Sequence, residues 1–151
     1  MRKFLLVLSA ATLTFGVLSG ADAATAKPTI TKLIVKANGA NEMPISGAKA
    51  GSATGTFILN STKNTFCFTN MKIQGIPNVF GAHIHLGAFG IDGSIFISFD
   101  ITKFGKAGQF CTKADHLLLL DIAKYPSDYY FNVHTKAFPS GAVRGQLKKS
   151  T

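Results

Sequence analysis

The sequence predicts an all-β fold, an antiparallel β-sandwich or barrel of about seven strands with one short helix. Three observations carry this expectation. Short segments alternate apolar and polar residues with period two, and Gly, Pro, Asn and Asp turns punctuate them. Beyond the N-terminal segment, only one stretch clusters its apolar residues without alternation. The chain of 151 residues has room for one domain. Its charged fraction of 15% and apolar fraction of 46% exclude disorder driven by high charge.

The N-terminus stands apart. Arg2 and Lys3 precede an apolar run from Phe4 to Leu18, and Ala21-Asp22-Ala23 ends it with a small-x-small pattern. Residues 1–23 read as a secretory signal peptide cut between Ala23 and Ala24, leaving about 128 residues to fold. Nothing later is long and apolar enough to read as a transmembrane helix. The expected product is secreted or periplasmic. Residues 24–29 read as a flexible segment, and the domain as residues 30–148.

Each element follows from its pattern. Leu33, Val35 and Ala37 share one face of a first strand, and Ala53, Gly55, Phe57 and Leu59 one face of a second. The turn Asn60–Asn64 leads to a hairpin partner over Thr65–Lys72, with Cys67 on one face and Phe66 and Phe68 on the other. Phe80–Leu86, Ile95–Asp100, Tyr129–His134 and Ala142–Leu147 complete the set. Lys113–Lys124 carries Leu117, Leu118, Leu120 and Ile122, has Thr112 and Asp115 as candidate N-caps, and stops before Pro126. It is predicted to be a helix crossing one end of the sandwich. Asn60-Ser61-Thr62 is a glycosylation sequon, relevant only in a eukaryotic source.

Export bears on the cysteines. Cys67 and Cys111 are the only two, and an oxidising compartment favours a bridge between them over two free thiols. The absence of a Cys-x-x-Cys motif argues against a redox pair.

The net charge of +9 is a weak pointer to any partner. Its lysines are dispersed, and Arg144 is the only arginine beyond the signal peptide. Base reading and phosphate clamping favour Arg, so nucleic acid is not expected. A solubilising lysine coat that protects edge strands accounts for the charge, with weak attraction to anionic envelope surfaces as the alternative.

Two segments carry chemistry. In Gly81-Ala82-His83-Ile84-His85-Leu86-Gly87, a strand projects His83 and His85 from one face. In Tyr129–Thr135, core-facing Tyr129, Phe131 and Val133 leave Tyr130, Asn132 and His134 on the other. If these strands are neighbours, His83, His85 and His134 converge as a candidate copper or zinc site, with Asn132 or Tyr130 behind the ligands. The competing reading gives these histidines a structural or partner-binding role on a sheet face. His116 lies on the predicted helix.

Glu42 is the only glutamate of the chain, and it lies in a turn. Retention of this carboxylate and of Arg144 suggests that the two pair, or that Arg144 donates to turn carbonyls and fixes an edge of the sandwich. Two unrelated surface charges are the alternative. Catalytic signatures are lacking: there is no Gly-x-Ser-x-Gly elbow, P-loop or dinucleotide fingerprint. Gly87-Ala88-Phe89-Gly90 reads as a loop and Asp92-Gly93 as a turn. An enzyme is not expected.

Several pieces, in their order and spacing, resemble the CHRD domain, a family named from the extracellular antagonist chordin and also found in exported microbial proteins. They are Asn41-Glu42-Met43-Pro44, Ala82-His83-Ile84-His85-Leu86-Gly87 with Gly90 and Gly93, and the block Tyr129–Leu147. That block contains Asn132-Val133-His134-Thr135, Phe138-Pro139, Gly141 and Arg144-Gly145-Gln146-Leu147. Ile45 and Ser94 stand where the family often has proline. The resemblance implies an immunoglobulin-like β-sandwich or barrel in an exported module that interacts with proteins, and no defined reaction.

Phe80–His85 and Ser140–Arg144 are also similar to segments of copper/zinc superoxide dismutase, but too few histidines and carboxylates accompany them for that enzyme's two-metal set. Two functions follow as expectations. The first is a binding or structural module whose partner is an unknown protein or envelope component. The second is a copper- or zinc-binding protein using His83, His85 and His134.

Overall fold

The computed structural model describes residues 29–150. The expected signal peptide over residues 1–23, its expected cut between Ala23 and Ala24, and the segment 24–28 that the sequence reads as flexible lie outside the described residues. The elements are β1 Ile30–Asn38, β2 Ser52–Asn60, β3 Thr65–Gln74, β4 Val79–Leu86, β5 Ile95–Ser98, β6 Gln109–Lys113, α1 His116–Lys124, β7 Tyr129–Thr135, β8 Phe138–Gln146 and β9 Lys148–Lys149. Among the described residues the strand count is therefore nine rather than seven. The two additional strands give little periodic signal. β6 is an edge strand with one large apolar residue, and β9 is two exposed lysines paired with Leu33 and Ile34 through backbone alone.

All pairings are antiparallel, in the order β5-β4-β7-β8-β1-β2-β3-β6, with β9 added to β1. The sheet coils until its ends approach. Phe99, just beyond β5, lies 5.8 Å from Phe66 and 5.6 Å from Phe68 of β3, ring centre to ring centre. Phe57 of β2 sits at the middle of this cluster, 5.1 Å from Phe66 and 5.5 Å from Phe131. Such offset and edge contacts add to the burial of the rings themselves. The result is an almost closed barrel, with its apolar face turned inward as the alternation requires.

The helix begins three residues later than its pattern suggests. Asp115 caps it by accepting from the N–H groups of Leu117 and Leu118, so Thr112 stays in β6. Leu119 and Ile122 enter the core, while Leu117 and Leu120 remain exposed. Among the described residues, no helix is long and apolar enough to cross a membrane.

Cys67 and Cys111 face each other across β3 and β6 and form a disulfide. The bridge ties edge strand β6 to its neighbour. Closing a loop with a sequence separation of 44 corresponds to about 4 kcal/mol in the chain-entropy account.

The middle of the sheet has a second, polar layer. All seven residues of β7 are buried, although only alternate side chains face the barrel interior. Residues 39–51, between β1 and β2, and residues 87–94, between β4 and β5, roof the outer face. Ala48 N–H donates to Ala142 C=O at 2.8 Å, and Gly87 N–H to Asp128 C=O at 2.7 Å. The candidate site lies beneath this roof.

Candidate metal-binding site

Neighbouring β4 and β7 bring the predicted residues together. Their register places Gly81 opposite His134, His83 opposite Asn132, and His85 opposite Tyr130. Strand alternation then puts all three imidazoles on the outer face. His83 leans diagonally toward His134 over Gly81, where a Cβ would stand 3.3 Å from the His83 ring. Ring centres are 4.9 Å apart for His83 and His134, 5.6 Å for His83 and His85, and 6.3 Å for His85 and His134. One ring nitrogen from each residue falls within 4.8 Å of the other two.

The hydrogen bonds assign the nitrogens. His134 Nδ1 lies 2.9 Å from the Pro139 carbonyl, which can only accept, so the proton of the neutral ring sits there. Its Nε2 lone pair is then free, and this atom is buried with no hydrogen-bond partner. His83 Nδ1 is likewise buried and unpartnered. Fixing an imidazole tautomer through its second nitrogen is how metal-ligating histidines are oriented. His85 is more constrained, with Nδ1 2.9 Å from Gly93 C=O and Nε2 3.1 Å from the Asn132 side chain.

Electrostatics favour neutral rings at His83 and His85. Burial, then the imidazoles of His134 and His85, lowers the His83 pKa to about 4. His85 is lowered too, chiefly by burial and also by His134 and Arg144, against the opposing hydrogen bonds. Neutral imidazole is the form that donates a lone pair to a cation.

A supporting network surrounds the cluster. Tyr130 stacks on His85 and lies 3.5 Å beneath the Arg144 guanidinium carbon on its other side. The phenolic oxygen accepts from Gly93 N–H at 3.3 Å. Arg144 is 1% exposed. It donates to Ala88 C=O at 3.0 Å, Ile91 C=O at 2.6 Å and Asp92 at 3.0 Å. Gln146 Nε2 donates to Gly87 C=O and Ser127 C=O, both at 2.8 Å. Gly145 allows close packing against β1, since a Cβ there would meet Ala37 Cα at 2.9 Å.

These contacts correct part of the sequence reading. Among the described residues, the carboxylate paired with Arg144 is Asp92, not Glu42. The carbonyl-donation alternative holds, but Arg144 belongs to β8 at the centre of the sheet and not to an edge. Glu42 is 3% exposed, and its buried Oε1 has no hydrogen-bond partner among the described residues. Burial pushes its pKa up to about 7 against the pull of Arg144. Gly141, at φ +151, makes room for this carboxyl, because a Cβ there would come within 2.5 Å of Glu42 Cδ.

His116 is not part of the cluster. Its Nδ1 lies 2.9 Å from Ser61 C=O. Asp92 and Gly93, which read as a turn in the sequence, and Pro139 orient Arg144, His85 and His134. Gly93 and Pro139 also belong to the motif blocks, while Asp92 does not.

The fold and site together define an antiparallel β-barrel module with a three-imidazole cluster on its central strands, roofed by two loops. The CHRD domain model matches residues 33–147, and the chain belongs to that family. No curated protein and no solved structure matches it significantly.

Proposed function

We propose that this chain is an exported binding module, and that His83, His85 and His134 hold one copper or zinc ion. The observation that carries the reading is the pair of buried nitrogens, His83 Nδ1 and His134 Nε2, which hydrogen-bond nothing yet belong to one compact cluster. A buried polar atom without a partner is costly, and a cation would satisfy both. Three imidazole donors suit zinc or copper, and leave room for an exogenous ligand. Once bound, the ion would supply a Lewis-acidic or redox centre. The donor set lacks the further histidines and carboxylates of a dismutase, and the role is binding rather than catalysis.

Export is supported by the N-terminal sequence, the disulfide and the family. A protein or envelope component is the second ligand class. It is favoured by Ile45, 81% exposed, and Phe89, 70% exposed, on the two roofing loops.

Calorimetric titration of the tag-free protein with zinc and copper tests the metal reading. One ion per chain is expected, with affinity falling at least about tenfold in His134→Ala and His85→Ala. Binding no tighter than micromolar, or indifferent to both substitutions, would overturn it.

A further inference from the structure

Lysines dispersed along the sequence meet on the outer face of the barrel. Leu33, Val35 and Ala37 are buried inward, so Ile34 and Lys36 of β1 point outward. Lys36 lies opposite Thr54 of β2, and Thr54 in turn lies opposite Lys72 of β3. On the other flank of β1, Lys148 of β9 lies opposite Ile34. Directly paired residues share a face, which gathers the exposed lysines 36, 72 and 148 on one patch. Among the described residues, none of them belongs to an ion pair.

Two adjoining hollows run over this patch and share Ile34 and Lys36. One, of about 330 Å³, extends to Lys148, Asn41 and Phe89. The other, of about 300 Å³, extends across Thr54 and Thr56 to Asn70 and Lys72. Among the described residues, no carboxylate lines either hollow. A solubilising coat needs charge but no trough.

Phe89 supplies an apolar end. It stands in the turn 88–91, where Ile91 N–H donates to Ala88 C=O at 3.0 Å and Gly90 takes φ +83, a conformation open to glycine. Buried Arg144 donates to the carbonyls of both Ala88 and Ile91, and Gln146 donates to Gly87 C=O. The backbone around Phe89 is held from below, while its side chain stays in solvent. Core packing does not require that ring. A fixed apolar face beside a row of cations loses little freedom when it meets a ligand.

We propose that this trough binds a carboxylated polysaccharide, a polymer of uronic acids, with Lys36, Lys72 and Lys148 on its carboxylates and Phe89 against a sugar ring. The apolar C–H face of a pyranose suits an aromatic ring, and its hydroxyls suit the threonine and asparagine side chains between the cations. Asn41 spends its Nδ2 on Arg144 C=O, which leaves the amide oxygen to accept from a hydroxyl. Nucleic acid fits less well, because one ring offers one stacking position and lysines are point charges without the phosphate-clamping fork. An acidic peptide lacks the repeating hydroxyls. The proposal specifies the envelope component admitted above and rests on that ligand class. It requires no metal, since no histidine lines the trough.

Calorimetric titration of the metal-free chain with oligogalacturonate, in chelator, tests it. Binding is expected to weaken as salt rises. Phe89→Ala should weaken it about fivefold or more, and Phe89→Tyr should retain it. Joint Lys36→Gln and Lys72→Gln should weaken it about fivefold. The charge-matched pair Lys63→Gln and Lys106→Gln, outside the trough, should weaken it less than about twofold. Equal losses from the two lysine pairs, indifference to Phe89→Ala, or equal affinity for the methyl-esterified polymer would overturn the proposal. Tighter binding of oligothymidylate or polyglutamate would also overturn it and reassign the trough to nucleic acid or acidic protein. Zinc titration without chelator decides the metal reading, and cell fractionation decides export; failure of either leaves galacturonate binding to be scored on its own.

Discussion

The rings of His85 and Tyr130 lie face to face, 4.7 Å between centres and 8° from parallel. Tyr130 orients the imidazole by contact area, while the Gly93 carbonyl and Asn132 fix its rotation. Tyr130→Phe keeps the ring and loses only the bond from Gly93 N–H. It should cost about 1 kcal/mol and leave zinc affinity nearly unchanged. Tyr130→Ala should cost about 3–5 kcal/mol in denaturant unfolding and weaken zinc binding, because His85 loses its stacking surface.

Arg144 should not tolerate lysine. Its guanidinium reaches two carbonyls and Asp92 at once while covering Tyr130, a fork that an ammonium cannot reproduce. Arg144→Lys is expected to lose about 2–4 kcal/mol, seen as a fall of roughly 10 °C in the melting temperature. Asp92→Asn should cost under about 1 kcal/mol, because the Asp92 side chain is 55% exposed.

The Glu42 contribution to stability should fall as pH rises from about 4.5 to 7, against the opposite contribution of His83 between about 4 and 6.5. Over that interval the unfolded chain releases the Glu42 proton while the folded chain, with its pKa near 7, retains it. The unfolded state therefore gains from each increment of pH. The full penalty, up to about 3 kcal/mol, is present above pH 7 and absent well below 4.5. Glu42→Gln should flatten this limb in melts between pH 5 and 8; a parallel wild-type and variant profile would exclude it.

His83 acts on the acid side. Its pKa falls from 6.5 to about 4 on folding, so below 6.5 the unfolded chain takes a proton that the folded chain refuses. Its contribution to stability is complete above 6.5 and declines until pH passes below about 4. His83→Asn should reduce the slope of the melting temperature between pH 6.5 and 4.

Reducing the Cys67–Cys111 bridge, or replacing both cysteines with serine, should cost about 4 kcal/mol. Amide exchange should rise first in β6, which pairs only with β3.

Much of the barrel was legible because strand periodicity is local. Leu33, Val35 and Ala37, and Phe57 and Leu59, are buried as their alternation predicts, and Cys67 lies opposite Cys111. β6 and β9 were not legible, since an edge strand buries too little to need an alternating sequence. Likewise His83, His85 and His134 were readable as outward-facing, because two-residue spacing fixes the face whatever the neighbours.

What the sequence determined by itself was the inward and outward side of each main strand, the helix and the candidate ligands. Only the tertiary structure decided that the outward face of β7 would be buried. That required two distant loops to close over it, burying Glu42 and carrying Asp92 to Arg144. Loop positions depend on carbonyl and N–H groups that every residue possesses. Residue type could therefore single out Glu42 and Arg144, but not assign Asp92 to Arg144 or Asn132 to His85.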